Sequence, residues 1–316
     1  MKRKAIVVVG ATASGKTALG VHIAKKFNGE VISADSMQIY KGMDIATAKP
    51  TLEEMEGIKH HLIDFVDVTA QYSVSAYCDD AKKVFDEITA NNKLPVIVGG
   101  TGLYIDSFLS NTQFLEAASS DVVRKELLCE VEKNGIAALY EQLKEIDPEA
   151  AAGIHPNNIV RVVRAMEIYK TTGKTLTEQN KLSHITQSDI EPLYIGINYS
   201  DRENLYKRIN MRVDIMLENG LLDEAKEFYQ QNPSKTAVNA IGYKELKPFL
   251  DGVLSYDVCV DSLKRETRRY AKRQITWFKR NKSINWVYAD TKSREELLQY
   301  VDNLINNYLE GDISAE

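Results

Sequence analysis

The stretch AIVVVGATASGKT, residues 5–17, constrains the fold more than any other part of the chain. A short apolar run ends on Gly10, and the loop that follows matches GxxxxGK[ST] through Gly10, Gly15, Lys16 and Thr17. Such a loop turns its backbone N–H groups inward around an anion at a helix N-terminus, so it needs a strand before it and a helix after it. Both are present: the apolar run has strand character, and the segment from about Gly15 to Phe27 has helical character. Gly10, Ala11, Thr12, Ala13, Ser14, Gly15, Lys16 and Thr17 are therefore expected to bind phosphate. Lys16 supplies a full charge, and the Thr17 hydroxyl is a candidate ligand for Mg2+.

The same alternation continues. EVISAD, a helix near Ala76 to Ala90, and LPVIVGG predict further short buried strands separated by helices. Such strands form a parallel sheet covered on both faces. The strand signal stops at about Phe114 and returns at PLYIGINY, 192–199, leaving helical candidates at 121–133, 135–145 and 158–170. A helix follows at 201–219, with capping-box spacing at Ser200 and Glu203 and a stop at Gly220; SINWVYA then reads as a strand, before a last helix opened by Ser293 and Glu296. The expected fold is α/β, a P-loop NTPase-like parallel sheet with helices on both faces and a helical insertion domain. Its parts are a core over 1–113, an insertion over 114–191 and the rest of the core over 192–316.

A P-loop by itself suggests a nucleoside triphosphate, and such enzymes commonly place a carboxylate after a third strand to organise magnesium. Here LPVIV runs instead into Gly99-Gly100-Thr101-Gly102, and the first acid at a strand end is Asp35. Strand C-termini share one rim of an open sheet, which puts Asp35 and the Thr101 turn near the phosphates. A carboxylate beside a diphosphate suits removal of a proton from a nucleophile while the diphosphate departs.

Longer blocks carry a resemblance. After GATASGKT come DSMQIYKGMDIATAKP, HHLIDFVDVTAQYSVSAY, GGTGLYI, AIGYKEL and TRRYAKRQITWFK. Together they resemble the tRNA dimethylallyltransferase family through nearly the whole chain. The resemblance implies transfer of a dimethylallyl group from dimethylallyl diphosphate to N6 of the adenosine at tRNA position 37, beside the anticodon. It also implies Asp35 as general base, Asp35, Ser36, Met37 and Gln38 as the tRNA-reading stretch, Thr101 as the catalytic threonine, and Arg208 as a diphosphate ligand. Lys16 joins Asp35, Thr101 and Arg208 in the catalytic set, and Arg212 lies one turn beyond Arg208. Arg161 and Arg164 match the family's tRNA contact in the insertion. The sequence departs from the common family pattern at Ala11 (proline in most members), Met37 (often arginine) and Val160 (often glutamine).

Charge distribution bears on the partner. The chain has a formal net charge of −5, yet residues 261–282 hold nine basic residues against two acids, a local charge of +7. That segment, Arg273 included, reads as a track for an RNA backbone, against the plainer alternative of a solvated helix face. His60 and His61 lack a third ligand nearby and are expected to pack and hydrogen-bond. Cys78, Cys129 and Cys259 form no CxxC pair, and no apolar run reaches membrane-spanning length. The expected setting is a cytoplasmic monomer that binds tRNA at its anticodon stem-loop and dimethylallyl diphosphate, with Mg2+ and without membrane. An ATP-dependent small-molecule kinase, an isopentenyltransferase acting on free adenine nucleotides, and a non-catalytic RNA-binding module remain as alternatives.

Overall fold

The computed structural model describes residues 2–112, 114, 120–183 and 188–311. In chain order the elements are β1 (Arg3–Gly10), α1 (Lys16–Lys26), β2 (Gly29–Ala34), β3 (His60–His61), α2 (Val74–Ala90), β4 (Leu94–Gly99) and α3 (Gly102–Leu109). Next come α4 (Asp121–Ile146), α5 (Pro148–Gly153), α6 (Ile159–Thr172), α7 (Leu176–Ser183) and β5 (Ile190–Asn198). The chain ends with α8 (Arg202–Glu218), α9 (Leu221–Gln230), α10 (Tyr243–Leu250), α11 (Tyr256–Phe278), β6 (Asn285–Tyr288) and α12 (Arg294–Glu310). The chain divides into two compact units, 1–109 with 189–316, and 110–188. The expected junction at 113–114 falls partly outside the described residues.

In the larger unit six strands form one parallel sheet in the order β3-β2-β4-β1-β5-β6. Because side chains alternate along a strand, β1 feeds two cores. Ala5, Val7 and Val9 pack with Tyr77, Ala81 and Phe85 of α2 and Ile105 of α3, whereas Ile6 and Val8 pack with Leu19 and Ile23 of α1 and Val301 and Ile305 of α12. Burial on both faces explains why β1 reads as a continuous apolar run rather than an alternating one. A third core joins Ile39, Tyr40 and Met43 to Val213 of α8, Phe228 of α9, Tyr243 of α10 and Leu263 of α11, and so fixes the loop after β2 against the C-terminal helices.

The smaller unit has its own core, in which Leu127, Leu139 and Leu143 of α4 meet Val162, Val163 and Met166 of α6. The two helices expected at 121–133 and 135–145 run on as α4, bent at Gly135, whose φ of 78° lies in the left-handed region. The capping box expected at Ser293 and Glu296 forms at the start of α12. The one expected at Ser200 does not: Asp201 caps α8 through the Glu203 amide, and the Ser200 and Asp201 amides are instead taken by the Asp290 carboxylate. That acceptor comes from 90 residues away, beyond what local spacing can show. No helix among the described residues is long and apolar enough to cross a membrane.

Gly99, at the end of β4, pairs with Ala34 at the end of β2. A Cβ on Gly99 would lie 2.1 Å from the Ala34 carbonyl oxygen, and backbone cannot move aside as a flexible side chain can. Gly99→Ala is therefore expected to cost about 1–3 kcal/mol, measured as a lower midpoint in urea. An unchanged midpoint would show that the close approach of β2 to β4 carries no constraint.

Candidate active site

The loop from Gly10 to Thr17 joins β1 to α1, with Ala13 at φ 61° and Gly15 at φ 98° allowing the turn. It opens on a cavity of about 230 Å³. Thr12, Ala13, Lys16 and Thr17 line this cavity, as do Asp35, Ser36, Met37 and Gln38 from the end of β2. Of the remaining loop residues, Gly15 is exposed and Gly10, Ala11 and Ser14 are buried. The Ser14 hydroxyl is buried against Gly10, where a Cβ would meet it at 2.7 Å. The Ser14 amide donates to Ala11 O at 3.3 Å.

Lys16 is partly buried, and its Nζ donates to Ala11 O at 3.3 Å. Burial lowers its pKa to about 8; the nearby Asp35 carboxylate opposes that shift and Arg212 adds to it. Asp35 is held by an Asx turn, its Oδ1 accepting from the Met37 amide at 2.9 Å and from the Gln38 amide at 3.3 Å. The Ser36 amide donates to Thr101 Oγ1 at 3.0 Å, and the Thr101 hydroxyl reaches Ser36 Oγ at 3.3 Å. These bonds bring the GGTG turn against the Asp35 loop. Gln38 Nε2 donates to the carbonyls of Thr47 and Ala48, both at 3.1 Å, so its side chain shapes the loop wall of the cavity.

Arg208 and Arg212 lie one turn apart on α8, and both reach the glycine-rich loop. Arg208 Nε donates to Ala13 O at 3.1 Å, and Arg212 Nη1 lies 3.5 Å from Thr12 Oγ1. Arg212 is the one that lines the cavity, where burial lowers its pKa. Arg208 stands over the Tyr199 ring at 5.9 Å. The cationic end of the cavity thus gathers Lys16, Arg212 and, through the loop, Arg208. The other walls include Ile209, Val213, Met216, Leu221, Ala240, Ile241 and Leu263. One cavity therefore has a cationic end and an apolar side.

The basic segment is for the most part α11. Its Arg269 pairs with Glu266 of the same segment at 2.7 Å, and its Lys264 with Asp214 of α8 at 2.5 Å, so one charge of the excess is neutralised by an acid from another helix. Arg273 lines the cavity, its guanidinium 5.6 Å from the Tyr270 ring centre. Tyr270 and Gln274, one helical turn apart, also line it. Sequence alone places neither at the site: Tyr270 reads as part of the packing side of the basic segment, and Gln274 is passed over in a stretch read for its charges. Their spacing of four on a helix was the available signal.

Arg161 and Arg164 lie on α6 of the smaller unit. Arg161 is exposed, whereas Arg164 pairs with the buried Glu167 at 3.0 Å, and Arg124 binds the same carboxylate oxygen at 2.9 Å. His61 Nε2 meets Glu30 Oε2 at 2.6 Å, and His60 Nδ1 meets Ile58 O at 2.9 Å, so both histidines hydrogen-bond at the sheet edge.

The sequence profile of the family described as IPP transferase matches residues 38–281. A tRNA dimethylallyltransferase from Caldanaerobacter subterraneus subsp. tengcongensis is 46% identical over 300 residues, covering 94% of this chain and 95% of that protein. Among solved structures, the tRNA isopentenylpyrophosphate transferase from Bacillus halodurans superposes with a TM-score of 0.74 at 43% identity, covering 98% of this chain and 97% of that one. A eukaryotic dimethylallyltransferase acting on tRNA superposes with a TM-score of 0.79 at 34% identity, over 96% of this chain and 80% of its own. By sequence and by fold, this chain belongs to the tRNA dimethylallyltransferase (IPP transferase) family.

Proposed function

We propose that the protein transfers a dimethylallyl group from dimethylallyl diphosphate to N6 of the adenosine at tRNA position 37, releasing diphosphate. The observation that carries this reading is the single cavity that joins a glycine-rich anion loop, Lys16 and Arg212 to Asp35 and an apolar wall. A diphosphate fits the cationic end, and a five-carbon chain fits the wall. On this reading the core is of the P-loop NTPase-like class, and its loop holds a leaving group instead of a transferred phosphate.

The adenine leaves its stack to reach the site, which costs little in an anticodon loop. N6 attacks the allylic carbon, the carbon–oxygen bond to diphosphate breaks, and the electron pair leaves with the diphosphate. Asp35 takes the N6 proton, held in place by the Met37 and Gln38 amides. Lys16, Arg208, Arg212 and the loop amides stabilise the charge that builds on the leaving group. The Thr101 hydroxyl, which accepts from the Ser36 amide, would turn its proton from Ser36 Oγ toward the bridging oxygen. Mg2+ is compatible with the residues present, because the Thr17 hydroxyl and the Asp35 carboxylate line the same cavity and are hard oxygen donors. Thr17 would hold the ion, which would add Lewis-acid neutralisation of phosphate charge.

For tRNA, Ser36, Met37, Gln38, Thr101 and Arg273 are the proposed contacts in the larger unit, and Arg161 and Arg164 those in the insertion. Because Arg164 is already tied to Glu167, Arg161 is the freer of the two to move onto a phosphate. The protein acts as a cytoplasmic monomer in this proposal.

The test is direct. Enzyme, Mg2+ and labelled dimethylallyl diphosphate are incubated with an unmodified anticodon stem-loop or with AMP, each with and without ATP. Label is expected on the stem-loop whether or not ATP is present. Transfer to AMP alone, or phosphate transfer from ATP in place of prenyl transfer, would overturn the proposal.

A further inference from the structure

The structure assigns Gln274 a positioning role: its side-chain amide ties the anion loop to the GGTG turn and sets the distance between the leaving-group site and the Thr101 hydroxyl. This inference rests on the proposed function. Gln274 is 4% exposed and lies on α11, outside both loops. The Thr12 amide donates to its Oε1 at 2.8 Å, and its Nε2 donates to Gly100 O at 3.0 Å. One planar group therefore accepts from the loop that would hold the diphosphate and donates to the residue just before Thr101.

The surroundings are shaped for that amide. A Cβ on Gly100 would stand 2.1 Å from Gln274 Nε2, so a side chain there could not coexist with the amide where it is. One turn earlier, Tyr270 lines the same cavity as Gln274. One turn later, α11 is pinned to α3: Trp277 Nε1 donates to Asp106 Oδ2 at 2.7 Å, and Gly102 leaves room for the Trp277 ring. The rod that carries Gln274 is thus fixed at the turn it holds.

Displacement of an allylic diphosphate requires the bridging oxygen and its hydrogen-bond donor to be in place together, and a loss of about 1 Å can cost around 10²-fold. The P-loop sets the position of the diphosphate, and the GGTG turn sets that of Thr101. Among the described residues, Gln274 is the side chain that bonds to the backbone of both.

Gln274→Glu separates this role from simple packing. The variant keeps the shape and the acceptor for the Thr12 amide, but it turns an oxygen toward Gly100 O. We expect kcat to fall at least tenfold in single-turnover transfer to a stem-loop, with KM for RNA within twofold of wild type and the thermal midpoint lowered only modestly. Gly100→Ala, which pushes the amide away from the other side, is expected to give the same pattern. The double variant Gly100→Ala with Gln274→Ala should be no slower than the slower of Gly100→Ala and Gln274→Ala measured alone, because each removes the same tie.

If Gln274→Glu does not fold, Gly100→Ala and its double variant give the answer. A kcat within twofold of wild type in either folded single variant, or multiplicative losses in the double, would overturn the inference. Wild-type enzyme run beside them separates the two proposals: no prenyl transfer by wild type refutes the proposed function, whereas active wild type with unaffected variants refutes only the role of Gln274.

Discussion

Asp35→Asn is expected to lower kcat by about 10²-fold or more, with KM for both substrates within a few-fold of wild type. Asparagine is the informative substitution because the Asp35 side chain has two jobs. Its Oδ1 accepts the Met37 and Gln38 amides, and an asparagine oxygen can accept both in the same turn. What asparagine cannot do is take the N6 proton. Alanine would remove both functions, so a slow Asp35→Ala enzyme could reflect an unmoored 36–38 loop. If Asp35→Ala is slower than Asp35→Asn, the difference reports the turn, and the Asn defect reports the base. Near-normal single-turnover rates in Asp35→Asn would remove Asp35 from the proton transfer.

The sequence made some of this site legible and hid the rest for physical reasons. The glycine-rich loop and Asp35 were readable because each sits at the end of a buried strand, and parallel strands deliver their C-termini to one rim. The pairing of Gly99 with Ala34 shows that rim directly, since it sets the residues that follow, Gly100 and Asp35, side by side. Arg212 was visible as a neighbour of Arg208 on a helix, but which of the two lines the cavity depends on how α8 lies on the loop. Ile209 and Ala271 decide that by packing with Ala11 and Ala13, a contact with no local signature. The apolar wall was hidden for the same reason: Ile209, Ile241 and Leu263 come from three separate segments that only the fold brings together. Gln274 was hidden by its company, because a stretch holding nine basic residues draws attention to charge while its one buried amide spans two distant loops.

Lys16→Met is expected to cut kcat/KM for the diphosphate donor by about 10²-fold or more and, at neutral pH, to raise the stability of the free protein. The two effects have one cause. Lys16 is a partly buried cation whose pKa is pushed down from 10.5 to about 8, so the folded protein disfavours the charge that a bound diphosphate would favour. Holding that charge costs the free protein about 3 kcal/mol, an upper bound on what an apolar side chain of similar length can recover. The bond to Ala11 O, lost in the variant, offsets a part of the gain. Below pH 8 Lys16 is charged in both the folded and the unfolded chain, and the penalty is present in full. Between about pH 8 and 10.5 the unfolded chain binds the extra proton, so wild-type stability from this group rises with pH and the advantage of Lys16→Met shrinks. Activity moves the opposite way: wild-type kcat/KM for the donor should fall as pH rises through about 8, while kcat, measured with diphosphate already bound to hold the proton on Lys16, should hold to higher pH. Thermal midpoints of both proteins from pH 7 to 10, with wild-type pH–rate profiles, check each part. A variant that is less stable at pH 7, or a wild-type kcat/KM that is flat from pH 7 to 9, would show that Lys16 is not the strained cation described here.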